Sequence, residues 1–523
     1  MAAAAITVAL LAAPLEAVGS PVVVLPGRGD CRANVRGLNL NSATIAQLQK
    51  ALRRGRITSE QLVRAYLKRI RAYDKRLNAI RHLNDDAVEQ ARRADRLRRQ
   101  GKARGVFFGI PVLLKDNVNT KDMPTTAGSI ALKGSVPNND AFITRRLEGA
   151  GAIILGKLNL SEFAGWVDLT MPPGYSSLGG QVVNAYSFAL SPSGSSSGSG
   201  VAASMAYAAA TVGTETSGSI LSPSDANSVV GIKPTVGLVS RTGILPLSPS
   251  FDTAGPMVRS VSDAAAMLGV VAGRDRKDPA TDASKGNTPK GMDYTRFLKK
   301  DALKGVRIGF SPEDRDDLND AEEALFRRAL QDLRKQGAKL VESDLQYWAK
   351  WVGLTEIGAI PNEFKASLNE YLAKQTSPKL RVRTLTEIIA YNEKHPDKMK
   401  YGQGLLEISD MTRGDMNDPA AIANRIAAIQ SARLAIDGAL LANDLDAIVA
   451  PGPAYANVSA SAGYPTVMVP GGYSPAGIPM GISFLASGFD EPKLISFAYD
   501  YEQASKRRQP PTTFNSDLRR MGC

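Results

Sequence analysis

Short apolar runs, each the length of one buried strand, alternate with helical segments along this 523-residue chain. One run covers 106–114 and ends in Lys115, another covers 152–155, and Asp140 is expected to cap a short helix between them. Similar runs return near the end of the chain, at 447–450, 466–469 and 480–485. Because strands that alternate with helices pair within one sheet, the pattern predicts an α/β fold: a single large mixed, mostly parallel β-sheet with helices on both faces.

Predicted strands occur both early and late in the chain. This indicates one large domain that is completed by the last strands, rather than a series of separate modules. We expect residues 1–30 to be a signal peptide or a disordered segment, followed by a domain over 38–523. The changes in composition divide that domain into four parts. These are a helical arm (38–104), a strand-rich core (105–260), a helix-rich region (289–445), and returning strands with a C-terminal helix (446–523).

The helical arm contains most of the positive charge. Three helices are predicted there: from about Thr44 to Arg54, from the Thr58/Ser59 cap, and from the Asp85 cap to Gly101. The formal net charge of the chain is +13, and residues 50–104 hold 18 lysines and arginines against 6 acidic residues. A solvated arginine-rich face fits this pattern better than nucleic-acid binding, because no aromatic residues or Gly-Arg repeats accompany the charge. A non-enzymatic binder of anionic surfaces through residues 50–104 remains an alternative.

Histidine and cysteine are scarce: the chain has only His82, His395, Cys31 and Cys523. Two histidines and two distant cysteines cannot form a zinc finger, a zincin site or a Cys-x-x-Cys redox pair. These counts exclude those zinc and redox sites, and we also expect no other metal and no cofactor. If the chain is a hydrolase, its general base is expected to be a residue other than histidine.

The N-terminal run, Met1 to Val18, is apolar, alanine-rich and too short to span a bilayer. Small residues follow it, as at a secretory cleavage site, although the usual positive start is missing. We therefore expect a secreted protein, or a cytoplasmic one if this run is not a signal peptide. In an oxidising compartment Cys31 and Cys523 can bridge the chain ends.

A serine-rich loop at 191–200 precedes a predicted alanine-rich helix at 201–210 and a second loop at 214–219. The loop has three interpretations. It fits a flexible linker, although apolar residues flank it closely. It also matches G-x-S-x-G with Ser196 as nucleophile, which would make an α/β-hydrolase-like esterase that depends on His395. In the third interpretation, Lys115 replaces histidine as the base.

Four strings carry a family resemblance: GIPVLLKDNV (109–118), SGSSSGSG (193–200), VGTETSGSI (212–220) and VVGIKPTVGLVSRTGILPLSPSFDTAGPM (229–257). They resemble the amidase signature family, most closely its peptide amidase branch. The segments at 149–165 and 462–485 resemble it too, so the similarity extends from about residue 38 to the end of the chain. The resemblance implies the amidase signature fold.

The resemblance also implies a Ser-Ser-Lys triad. Ser219 would attack an amide carbonyl and form an acyl-enzyme, and Ser195, after a cis Gly194–Ser195 peptide, would relay the proton to Lys115. The backbone N–H groups of Thr216, Ser217, Gly218 and Ser219 would form the oxyanion hole. Ser196 would support the lysine. Asp252 is interpreted as structural, and Asp116 is expected to point away from Lys115.

The chain departs from the family pattern at Ser193, Ser217 and Leu221, and in a short stretch between Pro451 and Tyr464. The substrate is expected to be a small-molecule or peptide amide: a peptide C-terminal amide, an aryl or aliphatic amide, or an ester. The expected state is a monomer or homodimer with no membrane span and no nucleic-acid partner. A glutaminase-type subunit of a tRNA-dependent amidotransferase is the other enzymatic alternative.

Overall fold

The computed structural model describes residues 33–522 apart from 317, 344 and 346–351. The expected signal segment and a Cys31–Cys523 bridge therefore lie outside the described residues. The strands of the described part are β1 Asn34–Val35, β2 Leu38–Asn39, β3 Ile80–Leu83, β4 Pro111–Lys115, β5 Ile153–Leu158, β6 Tyr175–Ser176, β7 Gly180–Gln181, β8 Ala210–Glu215, β9 Val230–Lys233, β10 Thr253–Val258, β11 Arg307–Phe310, β12 Lys339–Glu342, β13 Ala447–Pro451, β14 Thr466–Tyr473 and β15 Pro479–Leu485.

The α-helices of the same part flank these strands. They are α1 Ile45–Arg53, α2 Ser59–Leu77, α3 Ala87–Arg99, α4 Phe142–Gly149, α5 Ser197–Ser204, α6 Leu221–Ala226, α7 Val261–Val271, α8 Asp320–Lys335, α9 Val352–Gln375, α10 Leu385–Glu393, α11 Gly404–Asp410, α12 Pro419–Ala442, α13 Ala456–Ala462, α14 Glu491–Ser505 and α15 Ser516–Gly522. None of the described helices is both long and apolar enough to cross a bilayer.

One sheet of eleven strands organises the described residues, in the order β12-β11-β13-β15-β14-β9-β10-β8-β4-β5-β3. The prediction of a single large mixed sheet is confirmed. Parallel ladders are nevertheless the minority, because only β12-β11-β13 and β8-β4-β5 run parallel. The late strands β14 and β15 are joined by a short turn, and a short turn can only connect antiparallel strands.

The helical arm begins as its capping residues predict. Thr44 and Thr58 each form a capping box, in which the threonine hydroxyl accepts the N–H of the glutamine three residues later. The apolar faces of α1 and α2 are buried, while Arg64, Lys68 and Arg71 on α2 are exposed. The expected solvated face is therefore present on this helix.

Several local predictions are wrong. The apolar run at 106–114 forms a strand only from Pro111. Asp85 does not cap α3, because Asp86 holds the capping position, and its side chain makes no capping hydrogen bond. Asp140 does not cap α4: Ala141 is the capping residue, and the Asp140 carboxylate instead accepts the Lys121 N–H. The helix predicted at 201–210 begins earlier, at Ser197 inside the serine string, and Ala210 already belongs to β8.

A second apolar cluster joins the helix-rich region to the loops that follow β4, β5 and β9. It packs buried side chains of α9 and α10 against residues 127–132, 163–167 and 245–251. This packing holds the helix-rich region next to the end of β4, where Lys115 lies.

Candidate active site

Lys115 is the last residue of β4 and is completely buried. Its Nζ lies 2.8 Å from Ser195 Oγ and 3.2 Å from the carbonyl oxygen of Thr214. Burial lowers the pKa of the Lys115 ammonium to about 7, although the carboxylates of Asp252 and Glu215 oppose this shift. A large part of this lysine is therefore neutral near pH 7 and can accept a proton.

The serine loop holds Ser195 through its backbone. The Gly194–Ser195 peptide is cis, as the resemblance implied, and the Ser195 carbonyl accepts the Ser161 N–H at 3.1 Å. Ser193, which stands where the family usually has glycine, has φ +57°, a left-handed conformation that favours glycine.

Ser196 directs its hydroxyl to the strand beside Lys115. Its Oγ donates to the Thr214 carbonyl at 3.0 Å and accepts the Thr214 N–H at 3.2 Å. The same carbonyl is the second partner of Lys115 Nζ. Ser196 is thus placed to support the lysine.

Ser219 lies in the turn between β8 and α6, against the serine loop. The carbonyl oxygen of Ser219 accepts the Ser196 N–H at 3.2 Å. Ser219 therefore lies beside the peptide bond that joins Ser195 to Ser196. Gly218 before it has φ +77°, and a Cβ there would lie 3.0 Å from Ser222 Oγ and 3.5 Å from Ala456 Cβ. The left-handed backbone at this position favours glycine, and the missing side chain leaves room for Ser222 and α13.

Glu215, which the sequence interpretation missed, holds the turn that carries Ser219. Its buried carboxylate accepts the N–H groups of Ile220 at 2.6 Å and Leu221 at 3.0 Å, and the Gly218 N–H faces the same carboxylate. Burial raises the pKa of the Glu215 carboxyl. The sequence signal was an acidic residue at the end of a buried strand, directly before the serine turn.

Asp252 braces the same turn from the other side. Its Oδ1 accepts the Thr216 hydroxyl at 2.6 Å, and its Oδ2 accepts the N–H groups of Leu247 and Ser248 at 2.9 and 3.0 Å. Burial raises the pKa of the Asp252 carboxyl to about 6. The hydrogen bonds fit the structural role expected for Asp252, and its charge also acts on Lys115.

A second buried lysine, Lys157, shows why Lys115 differs from an ordinary buried cation. Lys157 Nζ lies 3.4 Å from Asp116 Oδ1 and donates to Thr125 Oγ1 at 2.7 Å. Burial lowers the pKa of Lys157 to about 8, while Asp116 acts to raise it. Asp116 therefore faces Lys157 rather than Lys115, as expected, and no carboxylate of the described residues forms an ion pair with Lys115.

Neither histidine joins this constellation. His395 follows α10, its Nδ1 lies 2.8 Å from the Tyr391 carbonyl, and its ring stacks on Tyr391. His82 is on β3, the edge strand beside β5. The Ser196 hydroxyl is bonded to Thr214, so the geometry gives no support to a Ser196–His395 esterase.

The sequence and the fold match known proteins over most of the chain. A family model described as Amidase matches residues 61–495. The chain belongs to the amidase family. A probable amidase of Arabidopsis thaliana is 40% identical over 483 residues, which cover 90% of this chain and 92% of the relative. The X-ray structure of a peptide amidase from Stenotrophomonas maltophilia is 43% identical with a TM-score of 0.84, covering 90% of this chain and 98% of that one.

The resemblance to the amidase family and the amidase fold are therefore confirmed, and the protein is a hydrolase of amide C–N bonds. More distant relatives include a glutamyl-tRNA(Gln) amidotransferase subunit from Thermoanaerobacter pseudethanolicus. It is 28% identical, covering 91% of this chain and 99% of the relative.

Proposed function

We propose that this amidase hydrolyses carboxamides with a Ser219–Ser195–Lys115 triad and an acyl-enzyme intermediate, and without a cofactor. The observation that carries the proposal is the 2.8 Å contact between a buried Lys115 Nζ and Ser195 Oγ. Burial lowers the pKa of this lysine to about 7, so it can act as a base at neutral pH, which a free lysine with a pKa of about 10.4 cannot.

In the first half-reaction, Ser219 Oγ attacks the amide carbon while its proton passes through Ser195 to the neutral Lys115. The negative charge that develops on the carbonyl oxygen is stabilised by N–H groups of Thr216, Ser217, Gly218 and Ser219. Each such donor typically contributes about 3–4 kcal/mol. Because the Gly218 N–H also faces Glu215, we assign it the smallest share.

Collapse of the tetrahedral intermediate breaks the C–N bond. The proton held on Lys115 returns through Ser195 to the leaving nitrogen, which departs as ammonia or an amine, and Ser219 remains acylated. A water molecule then attacks the acyl group while the same pair removes its proton. The products are the free acid and the regenerated serine.

The proposed substrates are peptide C-terminal amides first, with aryl amides, aliphatic amides and esters as further candidates. The peptide preference is supported by the similarity to a peptide amidase over most of both chains. The test is a panel of peptide amides, anilides, aliphatic amides and esters assayed with the purified chain. Release of ammonia from glutamine, with no activity on the panel, would instead favour the glutaminase alternative.

The proposed base predicts the acid side of the pH profile. Lys115 must be neutral to accept a proton, and its pKa is about 7. We therefore expect kcat/KM to fall about tenfold per pH unit below that value. Steady-state kinetics from pH 5 to 8 would measure this limb. A limb centred near 10, where an ordinary lysine titrates, would contradict the proposed environment of Lys115.

We also propose that the protein is secreted. This proposal rests on the apolar run at residues 1–18, outside the described residues. Intact mass of the mature protein from its native source would show whether the run is removed.

A further inference from the structure

Glu162 is a buried acid in the segment that contacts the relay serine. It begins a short 3-10 turn, Glu162–Gly165, and is only 1% exposed. The preceding residue, Ser161, donates its N–H to the Ser195 carbonyl at 3.1 Å. In the same segment, the Asn159 carbonyl accepts the Gly198 N–H of α5 at 3.0 Å. The segment thus supports the serine loop on both sides of Ser196.

The Glu162 carboxyl joins this segment to two others. Its Oε2 accepts the Ser177 N–H at 2.7 Å, and Ser177 Oγ in turn accepts the Ile130 N–H at 3.0 Å. The Ser129 hydroxyl approaches the same carboxyl and acts to lower its pKa. Three separate segments, 159–162, 129–130 and 177, therefore meet at one side chain.

The surroundings of Glu162 favour the protonated form. No lysine or arginine among the described residues pairs with Glu162, and burial raises the pKa of its carboxyl to about 7. Glu162 Oε1 and Ser129 Oγ are both buried without a hydrogen-bond partner. A hydrogen bond between these two atoms would satisfy both, and a protonated Oε1 forms it without leaving a charge in this buried site.

Tyr175 is an ionisable neighbour of Glu162. Burial raises the pKa of this tyrosine, with smaller contributions from Tyr401 and from Glu162 itself. Lys398 and Lys400 act on Tyr175 in the opposite direction, but neither contributes to the pKa of Glu162. Tyr175 is uncharged at neutral pH, so no neighbouring charge of the described residues compensates an ionised Glu162.

We propose that Glu162 is a positioning residue of the amidase reaction, and that its protonated carboxyl ties the three segments together behind Ser195. This inference rests on the proposed triad. Ionisation of Glu162 leaves only the Ser129 hydroxyl to donate between the two groups and places an uncompensated charge beside the serine loop. Activity is then expected to fall severalfold on the alkaline side of neutral pH, independently of Lys115.

The test compares Glu162→Gln with Glu162→Ala. Glutamine copies the protonated acid in shape and in hydrogen bonding but cannot ionise. We expect Glu162→Gln to keep kcat within about threefold of wild type at pH 7 and to lose the alkaline fall. We expect Glu162→Ala to reduce kcat at least about tenfold at every pH, with little change in KM. A glutamine variant as impaired as the alanine variant, or one that keeps the alkaline fall, would overturn the proposal.

Glu502→Gln is the matched control. The Glu502 side chain is half-buried, and burial raises the pKa of its carboxyl to about 7. It accepts the Val261 N–H at the start of α7, away from the serine loop. We expect Glu502→Gln to leave the pH profile of kcat unchanged. A profile altered equally by both glutamine variants would show a general stability effect and overturn the positioning role.

Thermal unfolding tests the protonation state of Glu162 without an activity assay. Its outcome is therefore independent of whether the proposed triad is correct. The Glu162 pKa is about 7 in the folded state against an ordinary value of 4.5. Between these values the unfolded chain loses the proton while the folded chain keeps it, so this group makes wild type less stable as pH rises. The Tm of Glu162→Gln relative to wild type should therefore rise from pH 4.5 to 7. A constant difference would contradict the protonated state, even if no amide were hydrolysed.

Discussion

Replacing Ser219 by alanine is expected to reduce kcat on a peptide amide by at least about 10⁴-fold. The variant keeps the turn, Glu215 and the N–H groups around the carbonyl oxygen, but it has no oxygen to form the acyl-enzyme. The fold should be unaffected, because Ser219 is joined to the serine loop through its backbone carbonyl, which accepts the Ser196 N–H. Steady-state kinetics, with circular dichroism and Tm as checks on folding, would measure the effect.

Ser196→Ala is the matched control for this substitution, since Ser196 is a buried serine of the neighbouring loop. Its loss removes two hydrogen bonds to Thr214 but no group that reacts, so we expect a much smaller decrease in kcat. An inactive Ser196→Ala with an active Ser219→Ala would exchange the two roles and restore the G-x-S-x-G interpretation.

Replacing Lys115 is the second large expected effect. Lys115→Met fills the same buried space without a base, and we expect kcat to fall at least about 10³-fold. The pH dependence below 7 should also disappear, because the group that titrates is gone. The variant should remain folded, because an apolar side chain at this completely buried site avoids the cost of burying an amine. The measurement is kcat as a function of pH, with Tm beside it.

The control is the double variant His82→Ala/His395→Ala. His395 bonds to Tyr391 and His82 lies on the edge strand, both apart from the Lys115–Ser195 contact, so we expect kcat to stay within about threefold of wild type. An inactive double variant together with an active Lys115→Met would refute a lysine base.

The position of Lys115 could be predicted from the sequence because an apolar run ends at that residue. A strand of this kind is buried along its length, and its last side chain lies where the strand ends and the following loop begins. The helix starts at Thr44 and Thr58 were equally predictable, since each has a glutamine three residues later. These features depend only on residues that are neighbours in the sequence, so a single sequence is enough to predict them.

The start of α5 could not be predicted in this way. Serine and glycine are poor helix formers, so the string from Ser193 to Gly200 indicated a loop. The structure needs small residues there because other backbone comes close: a Cβ on Gly198 would lie 2.4 Å from the Asn159 carbonyl oxygen, and one on Gly200 would lie 2.7 Å from that of Pro223. Tertiary packing therefore overrides the local preference.

The buried carboxyl groups that support the site could not be predicted from the sequence either. Glu215 and Glu162 are separated from the residues they face by turns or by long stretches of chain, and a single sequence does not show that a carboxyl is buried. Their roles become visible only from the hydrogen bonds to Ile220, Leu221 and Ser177.

In the proposed mechanism Ser219 is the nucleophile, and no histidine is needed to activate it. The most direct measurement is covalent labelling with a fluorophosphonate, followed by mass spectrometric mapping of the modified peptide. We expect a single adduct on Ser219 in wild type and in the double histidine variant, and almost none in Lys115→Met. An adduct on Ser196, or labelling that is lost with His395, would contradict this mechanism.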